Sequence, residues 1–164
     1  MNKVALLIGG NQGDRRASID RATALIQERI GTVALASRIY ETEPWGEFAV
    51  ESGERRVESF LNRALLVETA MTAHETLREA LAIETDLGRV RNNNSPLSTR
   101  IYRSRPMDID LIFWNDDIID SDDLIIPHPR AHMRRFVLEP LAEIIPDHRH
   151  PVLGLTVREM LAAL

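Results

Sequence analysis

The order in which apolar runs change their period is what most limits the fold of this chain. Lys3 to Ile8 is a short, continuous apolar run, read as a central strand buried on both sides. Gly9 to Gly13 is then a tight turn, and Asp14 stands as an N-cap. Ile19, Ala22, Leu25, Ile26 and Ile30 recur at helical spacing until Gly31. Thr32 to Tyr40 reads as a strand with Val33, Leu35 and Ser37 on one side, and Phe60 to Glu68 as another. Thr72 and Glu75 form a T-x-x-E capping box, which opens a helix running to Leu87 and stopping at Gly88. Pro106 leads into a strand from Met107 to Trp114, and a hairpin returns through Ile118-Ile119 to Leu124–Ile126. After Pro127 and Pro129, short helical pieces break at Pro140 and end at Pro146, and Thr156 with Glu159 caps a last short helix. Strand, helix, strand, strand, helix, strand is the ferredoxin-like α+β order, an antiparallel sheet with helices packed on one face.

The 164 residues suffice for one domain with its own core, and no repeat or linker divides them, so residues 1–164 are expected to act as one unit. The absence of cysteine excludes a disulfide framework, a thiolate nucleophile and thiolate-held metals. The early apolar run is too short for a membrane span or a secretory segment, which predicts a soluble, cytoplasmic protein. A net charge of −5 argues against nucleic-acid binding through bulk charge. A monomer with no nucleic-acid or membrane partner is expected.

The charges are segregated. Gly88 to Met107 holds five arginines (Arg89, Arg91, Arg100, Arg103, Arg105) and no acid, whereas Asp108 to Asp123 holds seven aspartates and no base. In a strand, Asp108 and Asp110 share one face, while Met107, Ile109, Leu111 and Phe113 share the core face. Adjacent carboxylates repel unless a cation lies between them, and Mg²⁺ accepts one or two carboxylates together with substrate phosphates. Arginine forks grip phosphate oxygens and keep their charge. ATP at about −4 with two aspartates is about −6, and two Mg²⁺ return +4, so about two further positive charges are wanted at a transferring phosphoryl group.

Other candidates are individually ambiguous. Glu84 lies on the helix stripe of Leu77, Ala80, Leu81 and Leu87, either at the rim or as a functional carboxylate. Phe60 and Phe136 are either core or a pair of phenyl faces around a flat heterocycle, with Asn62 on Phe60's face to read its edge. His128 is a candidate phosphate donor. The glycine turn lacks both the Lys-Ser/Thr ending of a Walker loop and a full dinucleotide-binding G-x-G-x-x-G.

Together, G-G-N-Q-G-D at 9–14, Y-E-T-E-P-W-G at 40–46, F-L-N at 60–62, G-R-V-R at 88–91, R-P-M-D-I-D-L at 105–111 and P-H-P-R at 127–130, with Arg134, Phe136 and Pro140, resemble the 6-hydroxymethyl-7,8-dihydropterin pyrophosphokinases over nearly the whole chain. The resemblance implies a ferredoxin-like α+β domain in three αβα layers. It also implies transfer of the terminal diphosphate of ATP to the pterin hydroxymethyl group with release of AMP. Asp108 and Asp110 match the aspartates that bind two Mg²⁺ ions. Arg89 and Arg105 match arginines acting on the phosphates during transfer, Arg91 one that helps close the site, His128 and Arg134 ATP-phosphate contacts, and Glu84 a position near the nucleotide. Phe60 and Phe136 match the aromatic pair around the pterin, Asn62 its edge reader, and Thr42, Pro44 and Trp45 a segment that also touches the ring.

The chain departs from the family pattern at Gly10, where serine is usual, and at Arg103-Ser104, where Gly-Pro is common. The two long loops also exceed the usual length, so Arg100 or Arg103 could take the part given to Arg91. Two rival readings are a single-stranded RNA-binding module, which the strand order would suit, and a non-catalytic nucleotide-binding relative. The strands lack the paired aromatics of an RNA-binding sheet.

Overall fold

The computed structural model describes residues 1–42, 59–88 and 107–164. The chain forms β1 (Asn2–Gly10), α1 (Arg15–Arg29), β2 (Thr32–Ala36), β3 (Tyr40–Thr42), β4 (Phe60–Thr69), α2 (Ala73–Asp86) and β5 (Asp108–Trp114). A small ribbon of β6 (Ile119–Asp120) and β7 (Ile125–Ile126) follows, then a 3₁₀ turn at Ala131–Met133, α3 (Arg135–Ile144) and α4 (Val157–Ala162). The main sheet runs β2-β4-β1-β5, with β3 also paired to β4. Every pairing in it is antiparallel, so the architecture is the α+β ferredoxin-like one.

β1 explains the layering. Its alternating side chains are apolar on both sides, so both sheet faces must be covered. Val4, Leu6 and Ile8 pack with Ile19, Ala22 and Ile26 of α1 and Ala80 and Ile83 of α2. Ala5 and Leu7 pack on the opposite face with Val137, Leu138 and Leu141 of α3 and Val157 and Met160 of α4. The reading of helices on one face therefore holds for α1 and α2 alone; the C-terminal helices build the third layer.

Four local expectations are corrected. β1 continues through Gly9 and Gly10, which pair with Asn62 and Leu61 of β4, so the turn begins only at Asn11. The segment 32–40 is divided at Ser37, whose buried hydroxyl accepts the Ala64 N–H at 2.9 Å and donates to the Arg38 carbonyl at 2.7 Å. That hydroxyl replaces a ladder carbonyl and interrupts the strand. A register shift between Val33 and Leu35 also leaves Leu35 exposed while Ser37 is buried. Pro140 does not break a helix: it lies buried inside α3, where the burial of Val137, Leu138 and Leu141 outweighs one lost backbone hydrogen bond.

The fourth concerns β5. The β1–β5 register shifts between Ala5 and Leu6, leaving Ile112 as an extra residue. Ile109, Leu111 and Trp114 therefore belong to the α1/α2 core, while Ile112 and Phe113 both belong to the α3/α4 core. Phe113 is thus on the aspartate side of the strand, opposite to strict alternation.

Candidate functional site

Four strands set a row of positions across the sheet. Tyr40 of β3 pairs with Asn62 of β4, Asn62 with Gly9 of β1, and Gly9 with Asp108 of β5. Side chains of directly paired residues project from the same face, here the face that carries α3. Gly9 leaves a gap in this row, and the Asn62 carboxamide occupies it: a Cβ on Gly9 would lie 2.3 Å from Asn62 Oδ1 and 2.7 Å from the Leu61 carbonyl oxygen. Asn62 is only 5% exposed, and its Nδ2 donates to Thr42 Oγ1 at 3.2 Å. Thr42 pairs with Phe60, which shares Asn62's face two residues earlier.

On β5, Asp108 and Asp110 are half-buried and alternate with the buried Ile109 and Leu111. The returning chain faces them. After the cis Ile126–Pro127 peptide, the His128 N–H donates to the Ile112 carbonyl at 3.0 Å, which fixes the loop to β5. The Arg130 N–H donates to His128 Nδ1 at 3.3 Å, so that nitrogen is the acceptor and Nε2 carries the proton of the neutral ring. Burial holds the His128 imidazole below its ordinary pKa; Arg134 adds to this and Asp108 opposes it. Arg134 stands at the N-cap position of α3. Burial and Arg130 lower its guanidinium pKa, while Asp110 and Asp108 raise it. The same guanidinium lies 5.6 Å from the ring centroid of Phe136, in the first turn of α3. Phe136 packs half-buried against the α3/α4 core.

Glu84 is not at the rim. It is 1% exposed, and its Oε2 accepts the backbone N–H of Ile109 at 2.7 Å.

The described residues thus bring Thr42, Phe60, Asn62, Asp108, Asp110, His128, Arg134 and Phe136 to one sheet face. Glu84 reaches β5 from the α2 side. Pro44, Trp45, Arg89, Arg91 and Arg105, with the alternatives Arg100 and Arg103, lie outside the described residues. Two contributors were not singled out from sequence. Arg130 enters the sequence reading only as the last residue of P-H-P-R, although its place two residues after His128 is a usable signal. Gly9 was hidden in a stretch whose composition is that of a turn.

Two carboxylates on one face, with a guanidinium and an imidazole N–H opposite, can hold a hard cation and the phosphate oxygens around it. Among the described residues, no group of three or more His, Cys, Asp or Glu could hold a metal ion.

Fold and site together describe an α+β domain suited to binding a charged, flat-headed small molecule beside a phosphate chain. The family model described as 7,8-dihydro-6-hydroxymethylpterin-pyrophosphokinase (HPPK) matches residues 5–146, and the chain belongs to this family. A relative from Methylorubrum extorquens, named 2-amino-4-hydroxy-6-hydroxymethyldihydropteridine pyrophosphokinase, is 36% identical over 165 residues, covering 100% of this chain and 94% of its own. One of the same name from Porphyromonas gingivalis is 35% identical over 144 residues, covering 87% of this chain and 90% of its own. The fold is shared with a crystal structure of Plasmodium falciparum HPPK-DHPS with pteroate, at a TM-score of 0.74 and 17% identity. That match covers 99% of this chain but only 42% of the longer one.

Proposed function

We infer that the chain transfers the terminal diphosphate of ATP to 6-hydroxymethyl-7,8-dihydropterin, giving the pterin diphosphate and AMP, a step of folate biosynthesis. Membership of the family and the names of its relatives support this. The observation that carries it is the Asp108–Asp110 pair, faced by Arg134 and His128, on the same sheet face as Asn62 and Phe60. Residues 1–164 act as one pyrophosphokinase domain, a cytoplasmic monomer whose partners are its two small-molecule substrates. Among the described residues, no helix is long and apolar enough to cross a membrane.

In the reaction, the pterin hydroxyl oxygen attacks the β-phosphorus in line. The bond from that phosphorus to the bridging oxygen breaks, its electron pair leaves on the α-phosphate of AMP, and the hydroxyl proton is released. Little covalent chemistry falls to the protein, so positioning and charge stabilisation supply most of the rate. Asp108 and Asp110 would hold Mg²⁺, two ions being expected. When bound, the metal neutralises triphosphate charge and favours the ionised hydroxyl. Arg134 and the Nε2–H of His128 bind phosphate oxygens as charged and neutral donors. Arg89 and Arg105 act on the moving phosphoryl groups, and Arg91, or Arg100 or Arg103, helps to close the site. Asn62 reads the hydrogen-bonding edge of the pterin, Phe60 and Phe136 cover its faces, and Thr42, Pro44 and Trp45 line the ring. Excluding water prevents wasteful hydrolysis of the nucleotide.

The test is product analysis. Protein incubated with ATP, Mg²⁺ and the hydroxymethyl pterin should release AMP and no ADP, and Asp110→Ala should abolish turnover while circular dichroism stays native. Formation of ADP, or full turnover by that variant, would overturn the reading.

A further inference from the structure

Among the described residues, β5, which carries the aspartates, is the border strand of the sheet. Successive backbone N–H groups of a strand point to opposite sides, so every second one on a border strand lacks a neighbouring strand to bond. Ile109 is such a residue. Its N–H points away from β1, and a buried amide left without an acceptor there would be costly. The acceptor comes from α2: the carboxylate of Glu84, almost wholly enclosed, takes this N–H at 2.7 Å. Ile109 is the single residue between Asp108 and Asp110. Its own side chain is buried in the α1/α2 core, so the carboxylate and the core together hold the one peptide on which both aspartates depend.

The location of Glu84 is specific. The other buried residues of α2 are Ala73, Thr76, Ala80 and Ile83, and the Thr76 hydroxyl is bonded to its own helix at the Thr72 carbonyl, so Glu84 is the one charged group on that face. An enclosed carboxylate is costly unless it makes strong hydrogen bonds. A second strand would have satisfied Ile109 equally well but would have covered the edge beside the aspartates. A single side chain reaching from the α2 side satisfies the amide without adding a strand at that edge.

We propose that Glu84 is a positioning residue for the metal site: by holding the Ile109 amide from the α2 side, it sets the separation and direction of the Asp108 and Asp110 carboxylates, and it acts on the nucleotide only through them. This rests on the reading of Asp108 and Asp110 as metal-binding residues. Outer groups that orient the ligands of a metal change its affinity by about 10–100-fold when removed, and a loss in that range is expected here.

The test compares Glu84→Leu, which removes the acceptor, Glu84→Gln, which keeps a carbonyl oxygen without the charge, and Glu84→Asp, which keeps the charge but shortens the reach. Binding of Mn²⁺ in the presence of a non-hydrolysable ATP analogue is followed by water-proton relaxation, and exchange of the Ile109 amide by NMR; neither needs turnover. Glu84→Leu and Glu84→Asp should weaken Mn²⁺ and speed Ile109 exchange, Glu84→Gln should restore most of both, and pterin affinity should stay constant. Unchanged Mn²⁺ affinity in a folded Glu84→Leu, or a Glu84→Gln as weak as it, would overturn the proposal. So would weakened binding of the analogue without any divalent ion, which would mark a direct nucleotide contact. If Glu84→Leu does not fold, the contrast between Gln and Asp decides alone. Asp110→Ala in the same titration separates the two readings. Normal Mn²⁺ affinity there overturns both, whereas lost affinity there with Glu84→Leu intact overturns only the role given to Glu84.

Discussion

Gly9 shows how much a single missing side chain can determine. Its Cβ position is already taken by Asn62 Oδ1 and lies close to the Leu61 carbonyl, and backbone cannot swing aside as a flexible side chain can. Gly9→Ala should therefore displace Asn62 and strain β4. We expect a loss of about 1–3 kcal/mol in denaturant unfolding, as for other overpacked sites. Alongside it, the KM for the pterin should rise, with the KM for ATP nearly constant. Equal changes in both KM values would show that the strain spreads beyond Asn62. His128 makes the converse point: its Nδ1 is occupied by the Arg130 amide, so only Nε2 can serve a phosphate. His128→Gln should raise the KM for ATP roughly tenfold, the worth of one good hydrogen bond to a charged group, measured by initial rates at saturating pterin. The two aspartates were legible in sequence because strand alternation is a local rule. Gly9 was not, because G-G-N-Q-G has the composition of a turn and only the long-range pairing with β4 and β5 makes it strand.

Among the elements, α2 was readable nearly to the residue because its signals are local. Thr72 Oγ1 accepts the Glu75 N–H at 3.2 Å, and Glu75 returns a carboxylate to the Thr72 N–H at 2.9 Å. Thr72→Ala should cost about 1 kcal/mol in equilibrium unfolding with little effect on turnover, since the cap lies at the far end of the helix from Glu84. A loss of activity without a loss of stability would contradict this assignment. Elements shaped by distant partners were less legible. The break at Ser37 depends on the backbone of Ala64, and the persistence of α3 through Pro140 depends on the sheet face beneath it. Short-range rules predicted an uninterrupted strand and a broken helix, and tertiary contacts reversed both.

At the scale of the molecule, the two cores on opposite sheet faces divide the labour. The α1/α2 side is sealed, whereas the α3/α4 side combines core with site. Imidazoles collect on this second side. The Phe113 ring lies 4.5 Å from that of His148 at a 49° tilt and meets His150 edge-on at 5.9 Å. Burial lowers the pKa of His148, opposed by Asp116, and that of His150, reinforced by His132 and His148. His128 is lowered as well. A histidine whose folded pKa lies below its unfolded value of about 6.5 binds more protons unfolded, so stability is full above that pH and falls as the pH drops through it. His150 adds a geometric reason, because its Nδ1 accepts the Val152 and Leu153 amides and cannot do so once protonated. Thermal melts should give a lower Tm at pH 5 than at pH 7, with a shallower dependence in His148→Gln. Identical midpoints would count against buried neutral imidazoles. The number of layers was implied by the family resemblance, while the strand order alone placed helices on one face only. The order of elements says which strands can pair, but the apolar character of both faces of β1 decides that both need a roof.

The surplus residue in β5 has a consequence for how the chain could be shortened. Excising Ile112 would restore regular alternation, so the acidic pair would stay outward and Phe113 and Trp114 would keep their present sides. What would vanish is the peg from which the His128 loop hangs, since that loop is tied to the Ile112 carbonyl. On the proposed roles of Asp108, Asp110 and His128, a shortened protein of this kind should keep its shape and still bind Mg²⁺ while its affinity for ATP falls, and a bulge of that kind would serve the substrate rather than the sheet.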